Sequence, residues 1–125
     1  MKVKTSELQG IALDWAVGTC LGLSLYIPAF AESPWVQVKD PSGRIYICPS
    51  WSTEWAQGGP IIEREGIDLR FDSDCWIALM CGVDYDAPGM PDEYPYGPTP
   101  LIAAMRCYVA SKLGDEVDVP DTLNP

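Results

Sequence analysis

Apolar residues spaced three and four positions apart predict a helix over residues 100–113. The recurring apolar residues are Leu101, Ile102, Met105, Tyr108, Val109 and Leu113. This spacing places them on one face of a helix. Thr99 supplies a capping hydroxyl, Pro100 suits the first helical position, and Gly114 ends the pattern. We expect this helix to form a main wall of the core.

A second helix is predicted at about residues 6–20. Its apolar face is formed by residues at helical spacing, namely Leu8, Ile11, Ala12, Trp15, Ala16 and Thr19. Thr5 or Ser6 stands where a capping residue would. The pattern is typical of an amphipathic helix in a mature cytosolic domain.

The N-terminus also resembles a signal peptide, because lysines precede an apolar stretch that ends at Ala29-Phe30-Ala31. Glu7 and Asp14 interrupt that stretch, which argues against a signal peptide. The longest run without charge, residues 15–31, contains Pro28 and several polar residues. The sequence therefore predicts no membrane span.

Two alternating segments predict a β-hairpin in the first half of the chain. Residues 35–38 and 44–48 alternate in polarity, and Asp40-Pro41-Ser42-Gly43 between them is a strong turn sequence. The period of a strand places Ile45 and Ile47 on one face. Residues 23–34, which contain two prolines, are expected to be an irregular connection with short extended pieces.

A second hairpin is predicted after a glycine-rich segment. Gly58-Gly59 is expected to prevent a continuous regular element, and Pro60 to begin a short helical turn that reaches Gly66. The alternation of residues 67–71 then indicates a strand. The apolar run at residues 75–81 indicates a partner strand that is buried on both faces.

Residues 82–98 are predicted to be a long loop, rich in proline, acidic residues and tyrosine. Long loops in compact domains often carry function. The tail after Val119 is expected to be extended. The chain has 125 residues, which fits one domain. We therefore expect a single α+β domain over residues 1–125, with two main helices packed on a small, mostly antiparallel sheet of two hairpins.

The charge balance excludes some partners. The formal net charge is −10, from 18 acidic and 8 basic residues. This opposes binding to nucleic acid polymers or to anionic membranes, which requires an excess of Lys and Arg. A small anionic ligand is still possible, because a helix N-terminus and one or two arginines act at short range.

The residue types exclude several kinds of catalysis. The chain has no histidine, and its five cysteines form no C-x-x-C pair. Ser-His-Asp and Cys-His catalysis and most zinc or other transition-metal sites are therefore excluded. We expect no metal and no cofactor. The cysteines are expected to be buried free thiols in a reducing cytoplasm.

Aromatic residues, glycines and a helix start together suggest a ligand site. The candidate residues on the glycine-rich segment are Trp51, Ser52, Thr53, Trp55, Gly58 and Gly59, and Thr99 stands at the start of the last helix. Flat rings can stack on a base, and backbone N–H groups can bind phosphate. The structural alternative is that the two tryptophans fill the edge of the core.

Two arginines complete the candidate site. Arg106 flanks the apolar face of the last helix and could reach a ligand, or form an internal ion pair with Glu63 or Glu65. Arg64 is expected to be exposed. The carboxylate pairs of the chain, such as Glu63 with Glu65, are interpreted as solvated surface groups.

Three segments resemble one family. They are LDWAV at 13–17, STEWAQGGPIIERE at 52–65 and GPTPLIAAMRCYVASKLGDEVDVP at 97–120. These segments resemble the NinX family of small proteins from lambdoid bacteriophages and prophages, a family of unknown function. The resemblance implies a phage accessory protein made in the cytoplasm of the bacterial host, and it implies no catalytic residues.

These observations favour a non-enzymatic binder of a small, nucleotide-like ligand. By analogy with known phage sponges, the protein would sequester a host immune signal such as a cyclic nucleotide or an ADP-ribose derivative. The alternative is an acidic interaction module that inhibits a host enzyme, including by mimicry of DNA. Nucleotide hydrolysis is disfavoured, since the usual bases and metal ligands are missing. Exposed aromatic residues would favour a homo-oligomer.

Overall fold

The computed structural model describes residues 1–28, 35–90 and 93–123. The helices are α1 (Gly10–Cys20), α2 (Trp55–Glu65) and α3 (Pro100–Leu113), and 3₁₀ turns lie at Thr5–Glu7 and Asp121–Leu123. The strands are β1 (Lys2–Lys4), β2 (Ser24–Tyr26), β3 (Gln37–Lys39), β4 (Ile45–Ile47), β5 (Ile67–Asp72), β6 (Cys75–Met80), β7 (Tyr96–Gly97) and β8 (Glu116–Asp118). The strands pair antiparallel in the orders β1-β8, β2-β3-β4 and β5-β6-β7. The α+β class is confirmed.

Helix α3 has the predicted bounds, and it lies at the centre of the core. The Thr99 hydroxyl accepts a hydrogen bond from the Ile102 N–H at 3.1 Å, as expected of a cap. The prediction of a single buried apolar face is incomplete, because Ala103, Ala104 and Cys107 outside that face are buried as well. These small side chains let neighbouring elements approach the helix from several sides, and α3 contacts α1, α2 and the β5-β6-β7 sheet.

Helix α1 begins at Gly10, later than predicted. Thr5 does not cap it, because the Thr5 hydroxyl donates to the Gly114 carbonyl at 2.6 Å and the preceding turn ends at Glu7. Gln9 takes the N-cap position without a side-chain hydrogen bond. Leu8, between the turn and the helix, is completely buried.

Helix α2 contradicts the expectation that Gly58-Gly59 would interrupt regular structure. The helix runs without a break through both glycines and Pro60, and it ends at Gly66 with a positive φ. Gly58 packs against the Trp51 carbonyl and the Leu101 side chain, where a Cβ atom would not fit. This tertiary contact outweighs the low helix propensity of glycine.

Both predicted hairpins form, and each gains a third strand. In the first, the Asp40 carboxylate accepts hydrogen bonds from the Ser42 and Arg44 N–H groups, each at 3.0 Å, which holds the β3–β4 turn. Strand β2 pairs with β3, so the expected short extended pieces exist within the connection. In the second, β7 pairs with β6. Strand β6 is half-buried, not buried on both faces, because only Ala78 is fully covered.

The chain ends differ from the prediction where they are described. The tail is not simply extended, since residues 121–123 form a turn whose Leu123 is buried. The expectations for the Ala29-Phe30-Ala31 stretch, for the rest of residues 29–34, and for positions 91–92 and 124–125 lie outside the described residues.

Candidate functional site

The predicted aromatic site does not form one surface. Trp51 and Ser52 are buried, whereas Trp55 is 55% exposed and Thr53 is exposed. The Ser52 N–H donates to Asp14 Oδ1 of α1 at 2.9 Å, which draws this part of the chain into the core. The two tryptophans therefore lie in different environments, and Trp51 takes the structural role.

The glycines of the predicted site have backbone groups that serve the helix. The Gly58 N–H donates to the Glu54 carbonyl at 2.9 Å, and Gly59 is half-buried in the same helix. The glycine-rich segment does lie beside the start of α3, because Gly58 contacts Leu101 in the first turn of that helix. The Thr99 hydroxyl, however, is occupied by the cap of α3.

Arg64 is exposed, as predicted, whereas Arg106 is buried and has partners other than those expected. Arg64 is exposed and pairs with the adjacent Glu65 at 2.9 Å. Arg106 is only 7% exposed, and its Nε donates to the Leu8 carbonyl at 2.7 Å while Nη1 donates to the Tyr96 carbonyl at 3.0 Å. The expected ion pair with Glu63 or Glu65 is replaced by these carbonyls. Burial lowers the pKa of Arg106.

Arg106 also lines a cleft of about 750 Å³ on another side of α3. The walls are residues 83–90 and 93–96 of the loop, the second half of α3, the Lys4–Ser6 segment and the Gly114–Glu116 segment. Its apolar lining consists of Val83, Met90, Pro95, Cys107 and Ala110. Of the residues selected from the sequence, the cleft contains Arg106.

Three tyrosines of the loop form the aromatic part of the cleft. They are Tyr85, Tyr94 and Tyr96. The rings of Tyr85 and Tyr94 meet edge to face, with centroids 6.0 Å apart and an angle of 81° between their planes. The Tyr94 hydroxyl donates to Asp86 Oδ1 at 3.3 Å. Such an arrangement leaves polarised ring faces and edges for a planar ligand.

Tyr85 and Cys107 meet at the wall of the cleft, where Tyr85 is half-buried and Cys107 is buried. The Tyr85 hydroxyl accepts from the Met80 N–H at 2.8 Å and lies 3.5 Å from Cys107 Sγ. Burial is the main cause that raises the pKa of Tyr85 to about 12, and burial raises the pKa of Cys107. Both groups therefore hold their protons at neutral pH, and Cys107 is a poor nucleophile.

The charges around the cleft are mixed. Lys4 and Arg106 contribute positive charge, and Glu93, Asp115 and Glu116 contribute negative charge. Across the part of the chain that the structure describes, no cluster of three or more His, Cys, Asp or Glu residues could hold a metal ion. The cleft is thus suited to binding through rings and hydrogen bonds.

The cysteines are free, as expected, but they are not all buried. Cys107 is buried, Cys20, Cys48 and Cys75 are half-buried, and Cys81 is exposed. Among the described helices, none is long and apolar enough to cross a membrane.

Sequence reasoning missed the tyrosines as site residues. The available signal was their concentration in a long loop with several prolines, since such loops often carry function. What the sequence did not reveal is that this loop folds over the second half of α3. That contact depends on residues far apart in the chain, such as Tyr85 and Cys107.

Comparison with known proteins supports the resemblance noted in the sequence. No curated protein matches the chain. The family model described as "Bacteriophage P22, NinX" matches residues 4–112. This range contains α1, α2, all but the last residue of α3, and most of the cleft. The chain therefore belongs to the NinX family and is a phage accessory protein.

Proposed function

We propose that this phage accessory protein binds a small molecule with a flat ring in the cleft that α3 forms with loop residues 83–90 and 93–96, and releases it unchanged. The observation that carries the proposal is the juxtaposition of the Tyr85 and Tyr94 rings with an apolar wall in a cleft of about 750 Å³. That volume lies within the usual range of small-molecule sites, about 300–1,000 Å³. Aromatic walls with a few polar groups are typical of such sites.

Binding without reaction is supported by the state of the buried titratable groups. Burial raises the pKa of both Tyr85 and Cys107, so neither is available as a base or nucleophile near neutral pH. Arg106 is held by two carbonyl oxygens and would act by orienting a ligand rather than by transferring a proton.

The charges favour a ligand with a ring system and few anionic groups. Lys4 and Arg106 could meet a phosphate, while the three carboxylates nearby would repel a densely charged ligand. In the cytoplasm of the host, sequestration of a nucleotide-derived immune signal is the role we propose. A cyclic nucleotide or an ADP-ribose derivative has the required ring and phosphate.

The test is a thermal-shift screen against cyclic di- and trinucleotides and ADP-ribose isomers, followed by recovery of the ligand after denaturation. A true ligand at about 100 times its Kd should stabilise the protein by about 2.7 kcal/mol, which raises Tm by several degrees. Chromatography of the released ligand should show that it is intact. Recovery of a cleaved product would contradict simple sequestration.

Three variants locate the site. Tyr94→Ala should abolish the shift, because it removes one wall of the cleft. Tyr26→Ala removes an exposed tyrosine that lies outside the cleft lining and should leave the shift unchanged. Loss of the shift in Trp55→Ala, with Tyr94→Ala unaffected, would move the site to the surface of α2 that the sequence suggested.

The alternative function is an acidic interaction module that binds a host protein. The exposed isoleucines of β4 favour it, since exposed apolar groups often mark protein contacts. Capture of one host enzyme, with no thermal shift from any nucleotide, would favour this alternative and contradict the cleft as a nucleotide site.

A further inference from the structure

Among the strands that the structure describes, β4 lies at an edge of the β2-β3-β4 sheet without a further partner, and it carries two exposed isoleucines. Ile45 is 54% exposed and Ile47 is 67% exposed. Neither proline nor a charged residue lies within this strand. Natural proteins commonly protect such edges with charge, proline, a bulge or a very short strand, because an unprotected edge pairs with another strand. Of these devices β4 has only its shortness, since it contains three residues, which limits pairing to a short ladder.

The backbone groups of both isoleucines point away from the rest of the sheet. The Arg44 carbonyl accepts a hydrogen bond from the Asp40 N–H, and the Cys48 N–H donates to the Val36 carbonyl, each at 2.9 Å. The register also pairs Tyr46 with Val38. In an antiparallel pair such bonded positions alternate with positions that face outward. Ile45 and Ile47 are the outward-facing positions of β4.

The edge is held in place before any partner binds. Val38, beside Tyr46 on the neighbouring strand, is completely buried, and the Asp40 carboxylate fixes the β3–β4 turn. A preorganised edge loses little conformational entropy on pairing. The strand is therefore able to accept a partner strand without rearrangement.

From these features we infer that β4 pairs antiparallel with β4 of a second copy, about a two-fold axis at Tyr46. In this register Ile45 of each copy lies opposite Ile47 of the other, so the outward backbone groups of both residues are satisfied. The isoleucines form one apolar cluster on the outer face. The two sheets become one continuous antiparallel sheet, in the manner of strand addition.

The residue sequence of the edge is self-matching. Ile45-Tyr46-Ile47 reads the same in both directions. A second copy related by a two-fold axis therefore places an exposed isoleucine opposite each isoleucine. A strand of arbitrary sequence would not provide this match, which favours a second copy as the occupant.

The first test is sedimentation velocity over a wide range of protein concentration. The contact is short, so the wild type should form a dimer that dissociates on dilution. Ile47→Lys should be monomeric at every concentration, because a charge at the edge opposes pairing. Phe71→Lys is the matched control, since Phe71 is 63% exposed on β5 of another sheet, and it should still dimerise.

The second test fixes the register. Tyr46 residues related by the two-fold axis would form a non-hydrogen-bonded pair with Cα atoms about 4.5 Å apart, within disulfide range. Tyr46→Cys oxidised with diamide should give a covalent dimer, and the wild type with its own free thiols should not. Circular dichroism checks that each variant is folded.

Several results would overturn the inference. A wild type that stays monomeric at high concentration excludes the dimer, and a dimer that persists in Ile47→Lys places the contact elsewhere. A wild type that dimerises while folded Tyr46→Cys forms no covalent dimer excludes this register.

Discussion

At the scale of single residues, Asp14 shows how a buried polar group can define a neighbouring segment. Its carboxylate accepts the Ser52 N–H and thereby holds Trp51 and Ser52 against α1. Burial raises the pKa of Asp14, and the hydrogen bond from Ser52 only partly offsets this effect. Trp51 and Ser52, which the sequence predicted to bind a ligand, are thus part of the core.

Asp14→Asn should change how stability depends on pH. Because the folded pKa of Asp14 is raised, its protonation stabilises the fold below the unfolded pKa near 3.8, and this contribution is lost as pH rises through the folded pKa. The free energy of unfolding of the wild type, relative to Asp14→Asn, should therefore fall from about pH 4 upward. Urea unfolding of both proteins between about pH 4 and pH 7 measures the difference.

Asp14→Ala serves as the comparison for the hydrogen bond. It leaves the buried Ser52 N–H without its acceptor and should cost about 1–3 kcal/mol at neutral pH. A wild-type stability that rises with pH relative to Asp14→Asn would contradict the raised pKa.

At the scale of elements, α2 shows that glycine can be selected by a neighbour rather than by a turn. Gly58 and Gly59 are adjacent in one helix, but only Gly58 meets the Trp51 carbonyl and Leu101. Both glycines were assigned to ligand contact from the sequence, but Gly58 is required by helix packing. The helix that results packs against α3, with Gly58 beside Leu101.

Gly58→Ala should destabilise the protein far more than Gly59→Ala. A Cβ at position 58 would overlap the Trp51 carbonyl and approach Leu101 Cδ2 to 2.7 Å, whereas at position 59 the nearest atom is Trp55 Cε3 at 3.9 Å. Gly58→Ala should destabilise the protein by about 1–3 kcal/mol. Gly59→Ala should change stability by less than about 0.5 kcal/mol, because the gain in helix propensity is offset by the strain of a Cβ on the residue before Pro60. Chemical denaturation of both variants measures the contrast, and equal effects would contradict it.

At the scale of the whole molecule, the two ends of the described chain belong to the same core. Val3 pairs with Val117 in the β1-β8 sheet, and both are buried. Val119 and Leu123 continue this buried cluster into the final turn. The same ends supply the Lys4–Ser6 and Gly114–Glu116 walls of the cleft. The integrity of the cleft should therefore depend on the packing of the ends.

Leu123→Ala should destabilise the protein by about 2–4 kcal/mol, because it leaves a cavity beside a fully packed cluster. The neighbouring Thr122 is exposed, so Thr122→Ala should change stability by less than about 0.5 kcal/mol. Urea unfolding of the two variants provides the comparison. If Leu123→Ala is as stable as Thr122→Ala, the final turn is not part of the core.

The sequence by itself determined the features that depend on neighbouring residues. The bounds of α3 followed from a cap, a helical spacing and a terminal glycine, and both hairpins followed from alternation around a turn. The absence of histidine likewise excluded whole classes of catalysis before any fold was known. The capping, spacing and alternation signals each involve residues that are close together in the sequence, and the lack of histidine is a property of composition. The sequence therefore contains all of them without knowledge of the fold.

Only the tertiary structure decided which distant groups meet. It placed Gly58 inside a helix, gave Arg106 the carbonyls of Leu8 and Tyr96, and folded the tyrosine loop over α3 to enclose the cleft. These outcomes depend on the packing of side chains and on backbone groups far apart in the chain. No local pattern encodes such partners, because the free energy that selects them comes from the burial and hydrogen bonding of the assembled core.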